Sequence, residues 1–263
     1  ADYSDAANLS SVRIDTKWEE RLDRLKAYTA DLQKQGGDVE KNRLRKLLFE
    51  SCLQASVKDS VTYCDSPVGT GKTTAVMAHM LNVASAYDLK HIFIVLPYTN
   101  IISQTVKVLR EALVLDGENP QSIVAEHHHQ ADFESHELQH LATTWQAPII
   151  VTTSVQLFET LSSSRPAKLR KLHQLAGSGI IFDESHSLLP MKLWPVSWNW
   201  LSDFTTKWGG HVCFCSGTMI KFWENHWLVK RSEVEVKSLL PDEVIAELNR
   251  AEENRILLDI RSK

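Results

Sequence analysis

Two short segments carry side chains that together can hold a nucleoside triphosphate and its magnesium ion. The first is 66–73, with the sequence SPVGTGKT, and the second is 183–186, with the sequence DESH. Gly69 and Gly71 lack a β-carbon, so the backbone around them can form a nest whose N–H groups point at phosphate oxygens. The two segments therefore predict an ATP site. The alternative is a plain structural loop and an exposed acidic turn.

The roles of single side chains follow from phosphoryl-transfer chemistry. Lys72 is assigned to the β- and γ-phosphates, and Thr73 and Asp183 are assigned to Mg²⁺. Glu184 is assigned to the attacking water, because one carboxylate of an adjacent pair can hold the metal while the next polarises water. The predicted nucleotide contacts around the first segment are Ser66, Val68, Gly69, Thr70, Gly71, Lys72, Thr73 and Thr74.

The elements around the two segments must present them at one edge of a sheet. A predicted strand at 61–66 leads into the first segment, and a buried helix at 72–87 leads out of it and adds the positive end of its dipole. Further apolar strands alternate with helical stretches and are predicted at 91–96, 122–126, 148–152, 179–183 and 211–216. This alternation predicts an α/β fold with a mostly parallel sheet, helices on both faces and ligands at the carboxyl ends of the strands.

Composition limits the class of protein. The chain has 263 residues, a net charge of −4 and 43% hydrophobic residues, which fits one α/β domain with extra segments and excludes a basic nucleic-acid coat protein. The four cysteines form no CxxC pair and are predicted to be reduced, which favours the cytoplasm. The sequence shows no apolar run of about 18 residues and no charged-then-apolar leader, so we predict neither a membrane span nor a secretory signal.

Two other predicted strand ends are followed by hydroxyl and amide side chains. They lie in 96–104, LPYTNIISQ, and in 151–158, VTTSVQLF. Hydroxyls, amides and helix N–H groups are the donors that contact a nucleic-acid phosphate backbone. The alternative is helix capping by Thr99, Ser103, Thr152 or Ser154.

With SGT at 216–218, these segments complete a set that resembles the motor domain of helicase superfamily 2. More narrowly, the set resembles the helicase part of the CRISPR-associated helicase-nuclease of type I systems. The resemblance covers about 41–222 and rests on 42–45, 66–74, 96–104, 126–129, 151–161, 170–173, 181–186 and 215–219. The glycine segment and the DExH box are common to the superfamily, whereas PYTNII, EHHH and TTSVQLFE are narrower.

The resemblance implies a RecA-like P-loop domain, the first of two between which ATP and Mg²⁺ are held. It also implies an HD nuclease module and recruitment by an RNA-guided CRISPR surveillance complex to unwind and degrade DNA. By the same resemblance, Asn42 and Arg45 lie at the adenine side, and His186, Ser216 and Thr218 match residues that couple hydrolysis to strand movement. The implied single-stranded DNA contacts are Pro97, Tyr98, Thr99, Asn100, Gln104, Thr152, Thr153 and Gln156.

The predicted organisation has three parts. Residues 1–40 are predicted as an N-terminal helical arm or linker, 41–222 as the RecA-like domain, and 223–263 as a helical extension towards a second motor domain. We find no HD constellation and no second RecA-like half after Met219, so we expect a fragment that binds ATP and hydrolyses it weakly alone. A stand-alone subunit, a non-catalytic docking or DNA-binding module and a generic superfamily 2 helicase domain are the alternatives.

Two clusters outside these motifs admit more than one interpretation. The first is rich in histidine and acidic residues and could form a metal site, but packing or nucleic-acid contact is favoured; it comprises His127, His128, His129, Asp132, Glu134, His136 and His140. The second could stack bases or pack a core or interface, and packing is favoured; it comprises Trp194, Trp198, Trp200 and Trp208.

Overall fold

The computed structural model describes residues 14–34, 36, 38–128, 135–164, 166–225, 229 and 234–253. In this part of the chain, seven parallel strands form one sheet in the order β3-β4-β2-β5-β6-β1-β7. The strands are β1 (Val61–Asp65), β2 (Ile92–Leu96), β3 (Val124–His127), β4 (Ile149–Thr153), β5 (Gly179–Phe182), β6 (His211–Ser216) and β7 (Lys237–Ser238). The predicted parallel α/β sheet is confirmed.

Helices cover both faces of the sheet. They are α1 (Trp18–Lys34), α2 (Val39–Gln54), α3 (Lys72–Tyr87), α4 (Ile102–Leu113), α5 (Pro120–Ile123), α6 (His136–Thr143), α7 (Ser154–Ser162), α8 (Pro166–Leu175), α9 (Trp194–Lys207) and α10 (Asp242–Glu253). None of the helices in the described ranges combines the length and the apolar character needed to cross a membrane.

The core has two layers because successive strand residues point to opposite faces. On β2, Ile92, Ile94 and Leu96 face the layer formed with α1 to α4, while Phe93 and Val95 face the layer formed with α7 and α9. All five residues are buried, as expected for a central parallel strand. The sheet is therefore a rigid base for the loops at its carboxyl edge.

Two details of the sheet differ from the sequence expectation. Residues 122 and 123 are helical, because Pro120 starts the short helix α5 and the Asn119 side chain accepts the Gln121 N–H at 2.9 Å. Strand β3 therefore begins at Val124. The two-residue strand β7 was not predicted, and it pairs with β1 at the edge of the sheet.

Helix α1 packs into the domain, although it lies in the segment predicted as an arm. Trp18, Leu22 and Leu25 are buried against α3 and α4. Arg21 is fully buried, and its Nη1 and Nη2 donate to the Glu118 carboxylate at 2.7 and 3.0 Å. Burial alone would raise the pKa of Glu118, but the hydrogen bonds from Arg21 lower it below its usual value. The boundary at residue 41 stays a prediction.

The tryptophans on α9 act in packing. Trp194 and Trp198 are buried, and the Trp194 ring stacks on Phe222 with centroids 3.9 Å apart. Trp200 stacks on Phe204, and Trp208 packs edge-on against Trp200. These contacts support the packing interpretation over base stacking.

Candidate active site

The loop 66–71, called here the glycine loop, joins β1 to α3. Gly69 and Gly71 have φ angles of 82° and 80°, which residues with a β-carbon rarely adopt. Thr70 Oγ1 donates to the Pro67 carbonyl at 2.7 Å and also lies 2.7 Å from Ser66 Oγ. Gly71 is the N-cap of α3 and provides no side-chain cap. The loop thus holds its own shape and leaves the start of α3 open to an anion.

Lys72 is the first residue of α3 and lies beneath the glycine loop. Its side chain is buried, and Nζ donates to the Ser66 carbonyl oxygen at 2.9 Å. A β-carbon at Gly217 would lie 3.1 Å from this Nζ, so the segment after β6 also borders the ammonium group. The ammonium group of Lys72 is therefore held against the glycine loop.

Asp183 follows β5 and faces the glycine loop. Its Oδ2 accepts a hydrogen bond from Thr73 Oγ1 at 3.4 Å, so the two side chains predicted to hold Mg²⁺ lie side by side. Its Oδ1 accepts from the Glu184 N–H at 2.9 Å and from Cys215 Sγ at 3.1 Å. A hydroxyl and a carboxylate are oxygen ligands, which Mg²⁺ prefers together with phosphate and water oxygens. The residues present therefore fit this metal.

Glu184 has an unusual backbone conformation. Its φ of 50° is left-handed, a strained conformation that tends to persist at functional sites. Its Oε2 lies 3.5 Å from His186 Nδ1, and the same nitrogen lies 2.8 Å from Ser216 Oγ. Ser216 Oγ in turn accepts the Thr218 N–H at 3.1 Å. A continuous polar path therefore joins Asp183 and Glu184, called here the acidic pair, to the segment after β6.

Two residues of this region were missed by the sequence interpretation. Cys215 contacts Asp183, and burial together with the Asp183 charge raises the pKa of its thiol well above the usual value. Asp65 ends β1, and burial raises the pKa of its carboxyl group although Lys221 and Lys72 oppose this. Because β6 pairs with both β1 and β5, Cys215 lies next to Asp183. The sequence does not give the strand order, so this contact could not be predicted from it.

A cleft lies at the adjacent carboxyl ends of β2 and β4. Leu96 pairs with Thr153 in these strands, so the loops that follow them meet. The cleft has a volume of about 450 Å³ and is lined by Pro97, Tyr98, Thr99, Asn100, Thr153, Val155 and Gln156. Tyr98 and Val155 are 59% and 58% exposed. Six of the eight predicted nucleic-acid contacts therefore share one surface.

The other two predicted contacts lie elsewhere. Thr152 is fully buried, and its hydroxyl donates to the His127 carbonyl at 2.9 Å, so its side chain faces the interior. Gln104 is exposed on α4 outside the lining of the cleft.

The residues that cap the helices at the cleft are not the four named as possible caps from the sequence. The cap of α7 is Thr153, whose hydroxyl accepts the Gln156 N–H at 3.2 Å, and not Thr152 or Ser154. The N-cap of α4 is Ile101, which makes no side-chain cap, so neither Thr99 nor Ser103 caps that helix. The hydroxyl of Thr99 remains in the lining of the cleft.

Of the two predicted adenine-side residues, Arg45 contacts the glycine loop. Its Nε donates to the Gly69 carbonyl oxygen at 3.3 Å. Asn42 lies one turn earlier in α2, where its N–H donates to the Asp38 carbonyl oxygen at 2.9 Å. Both residues stay predictions for adenine contact.

Within the histidine cluster, His127 packs in the interior, whereas His136 and His140 are on the surface. Trp145 Nε1 donates to His127 Nδ1 at 3.1 Å, and burial lowers the pKa of His127 to about 3. His136 and His140 are exposed on α6. Within the described ranges, no three His, Cys, Asp or Glu side chains form a metal-binding group. His129, Asp132 and Glu134 lie outside these ranges.

The glycine loop, the acidic pair and the parallel sheet define a RecA-like nucleotide-binding domain. The family model for the DEAD/DEAH box helicases matches residues 46–225, which is more than half of the chain. The chain therefore belongs to this family, and the expected superfamily 2 helicase domain is confirmed. No curated protein sequence matches the chain significantly.

Solved structures of helicases share the fold at low sequence identity. T. fusca Cas3 with AMPPNP matches with a TM-score of 0.55 and 20% identity, over 70% of this chain and 22% of that chain. The DUF1998 helicase MrfA bound to DNA has a TM-score of 0.53 and 14% identity, over 74% and 25%. The DEAD-box helicase Mss116 bound to ssRNA and UDP-BeF has a TM-score of 0.50 and 13% identity, over 74% and 39%. The chain thus spans less than half the length of each.

Proposed function

We propose that this chain is the first RecA-like motor domain of an ATP-dependent DNA helicase or translocase. The observation that carries the proposal is the convergence of Lys72, Thr73, Asp183 and Glu184 at the carboxyl edge of the sheet. Family membership supports the use of a nucleotide. The side chains supply a cation, two oxygen ligands that contact each other and a general base next to one of them in sequence, which are the groups that phosphoryl transfer requires.

Each residue then has one role in hydrolysis. The glycine-loop N–H groups and Lys72 bind the β- and γ-phosphates, and Arg45 stabilises the loop from α2. Thr73 and Asp183 would hold Mg²⁺, whose charge would offset that of the phosphates. Glu184 accepts a proton from the attacking water. His186, Ser216 and Thr218 transmit the change at the γ-phosphate to the end of β6.

The cleft between β2 and β4 is the proposed contact for single-stranded DNA. Its hydroxyl and amide groups suit phosphate-backbone contact, and Tyr98 offers an exposed ring on which a base can stack. Strand β5 leads to the acidic pair and pairs directly with β2, which leads to the cleft. The sites for hydrolysis and for DNA binding are therefore carried by neighbouring strands of one rigid sheet. Gln104 extends the DNA contact along α4. Thr152 supports the end of β4 from the interior, through its bond to the His127 carbonyl oxygen.

The proposal also includes a cellular role. The PYTNII, EHHH and TTSVQLFE segments and the likeness in fold to T. fusca Cas3 support a place in type I CRISPR antiviral defence in the cytoplasm. The partners would be an RNA-guided surveillance complex, an HD nuclease module and a second RecA-like domain, in cis or in trans. In this organisation, 41–222 form the motor domain, β7 adds an edge strand to its sheet, and the extension after 222 leads towards the second half.

Nucleotide binding and hydrolysis by the Lys72→Ala variant test the proposal. We expect loss of ATP binding to this chain, measured with a fluorescent ATP analogue, and loss of DNA-stimulated hydrolysis once a second motor domain is supplied. Lys90→Ala is the matched control, because Lys90 is exposed just before β2, at the opposite edge of the sheet. Unchanged binding in Lys72→Ala would refute the ATP site. Stimulation by RNA but not by DNA would favour a generic RNA helicase.

A further inference from the structure

Cys215 lies directly behind the carboxylate of Asp183. Strands β5 and β6 pair in parallel with Phe182 opposite Phe214, so the next residues of the two strands, Asp183 and Cys215, are also neighbours. The thiol is fully buried, and its Sγ lies 3.1 Å from Asp183 Oδ1. An ionised carboxylate only accepts hydrogen bonds, so the thiol is the donor.

The two oxygens of Asp183 have different surroundings. Oδ1 accepts from the Cys215 thiol and from the Glu184 N–H, which lies 2.9 Å away. Oδ2 faces Thr73 Oγ1 at 3.4 Å. Two donors on Oδ1 fix the rotation of the carboxylate about its Cβ–Cγ bond, and this rotation decides which oxygen faces the metal.

We propose that Cys215 is a positioning residue that holds Asp183 Oδ1 and thereby presents Oδ2, beside Thr73, to Mg²⁺. This inference rests on the proposed function of the same site. Partners that bond to metal ligands commonly change metal affinity by 10–100-fold when removed. The thiol does not contact nucleotide or metal itself, and its effect is transmitted through Asp183.

Cys213 provides a matched comparison within the same strand. It lies two residues earlier on the same face of β6 and is also fully buried. Its thiol contacts the Phe214 carbonyl oxygen at 3.8 Å, whereas the thiol of Cys215 is the one that reaches the Asp183 carboxylate. Truncating either cysteine removes a buried sulfur, but only truncating Cys215 removes a donor to Asp183.

Infrared spectroscopy of the S–H stretch tests the contact without any activity measurement. A thiol bonded to a carboxylate absorbs at lower frequency than one bonded to a carbonyl, so Cys215→Ala should remove the low-frequency component and Cys213→Ala should keep it. Asp183→Asn should shift this component to higher frequency, because the acceptor loses its charge. A Cys215 band that is insensitive to Asp183→Asn would overturn the proposal.

Metal binding tests the consequence. Mn²⁺ titrations in the presence of AMPPNP, followed by electron paramagnetic resonance, should show a weakening of about tenfold or more for Cys215→Ala. Cys215→Ser, which retains a donor, should stay within about threefold of wild type, as should Cys213→Ala. Thermal unfolding of all variants separates this effect from loss of fold.

The outcomes distinguish the two proposals. Wild-type Mn²⁺ affinity in Cys215→Ala overturns the positioning role and leaves the ATP site standing. A wild-type chain that binds no Mn²⁺ with AMPPNP overturns the proposed function, and the positioning role with it, whatever the infrared spectrum shows.

Discussion

The two functional regions at the carboxyl edge of the sheet are built differently. Around the glycine loop and the acidic pair, Lys72 and Asp183 are buried, and each has a hydrogen-bond partner within the site, the Ser66 carbonyl oxygen and the Cys215 thiol. In the cleft between β2 and β4, Tyr98 and Val155 are more than half exposed. The buried side chains of the first region are held by contacts within it, whereas side chains of the second extend into solvent.

This difference reflects what each region has to bind. Stabilising charge at a reacting phosphate needs groups that are already oriented in a site shielded from water. Contact with a polymer that moves needs accessible groups that bind any sequence, which phosphate-directed donors and aromatic faces provide. Substitutions in the first region should therefore affect nucleotide and metal binding or hydrolysis, and substitutions in the second should affect affinity for nucleic acid.

The largest effect is expected at Glu184. Glu184→Gln keeps the size of the side chain but removes the proposed general base, which typically contributes about 10²–10⁴-fold to the rate. Steady-state hydrolysis with DNA should fall by that factor, while ATP binding remains. The matched control Glu111→Gln changes an exposed residue of α4 and should leave both unchanged. A fall of less than tenfold in Glu184→Gln would contradict this role.

Acid should destabilise the fold that carries both regions, through two buried neutral histidines. Burial lowers the pKa of His79, in the middle of α3, to about 4, and that of His127, at the end of β3, to about 3. Below about pH 6.5 the unfolded chain binds more protons than the folded one, so the free energy of unfolding falls as the pH drops. Each histidine should cost on the order of 2 kcal/mol between about pH 7 and pH 5.

Urea unfolding as a function of pH measures this effect. His79→Leu should flatten the pH dependence, since the variant has one buried titrating group fewer. His136→Leu, at an exposed position of α6, should keep the wild-type slope. Equal slopes in wild type and His79→Leu would exclude the buried histidine as a cause.

In the cleft, Tyr98→Ala should weaken binding of single-stranded DNA. Loss of a stacked ring costs about 1–3 kcal/mol per base, which fluorescence anisotropy can measure. Tyr98→Phe keeps the ring and should bind like wild type, and ATP binding should be unchanged in both variants. Reduced ATP binding in Tyr98→Ala would show that the two regions are not separable.

The smallest effect is expected at the rim of the cleft. Thr153→Ala removes the cap of α7 and should lower the free energy of unfolding by about 1 kcal/mol, whereas Thr153→Ser should retain most of it. Chemical denaturation of the two variants measures the difference. Equal stabilities would mean that the cap does not stabilise α7.

The strands were the most predictable elements. Runs such as IFIVL and IIVTT are buried on both faces and leave little ambiguity about their structure. Strand β7 was missed because a pattern of two residues carries no periodicity. Thr152 and Thr153 are adjacent buried hydroxyls with equal propensity, and only the position of β4 in the sheet directs the first to the His127 carbonyl oxygen and leaves the second to cap α7.

The sequence by itself determined the local chemistry of this protein. It places glycines where positive φ angles are needed, a lysine at the start of a helix and two carboxylates after an apolar strand, because each depends on residues close together in the chain. Only the tertiary structure decided which groups meet. Strand order brings β5 between β2 and β6, and thereby sets Cys215 behind Asp183, His186 against Ser216 and the loops of β2 and β4 around one cleft. Such contacts join residues far apart in sequence, and only packing of the whole sheet selects them.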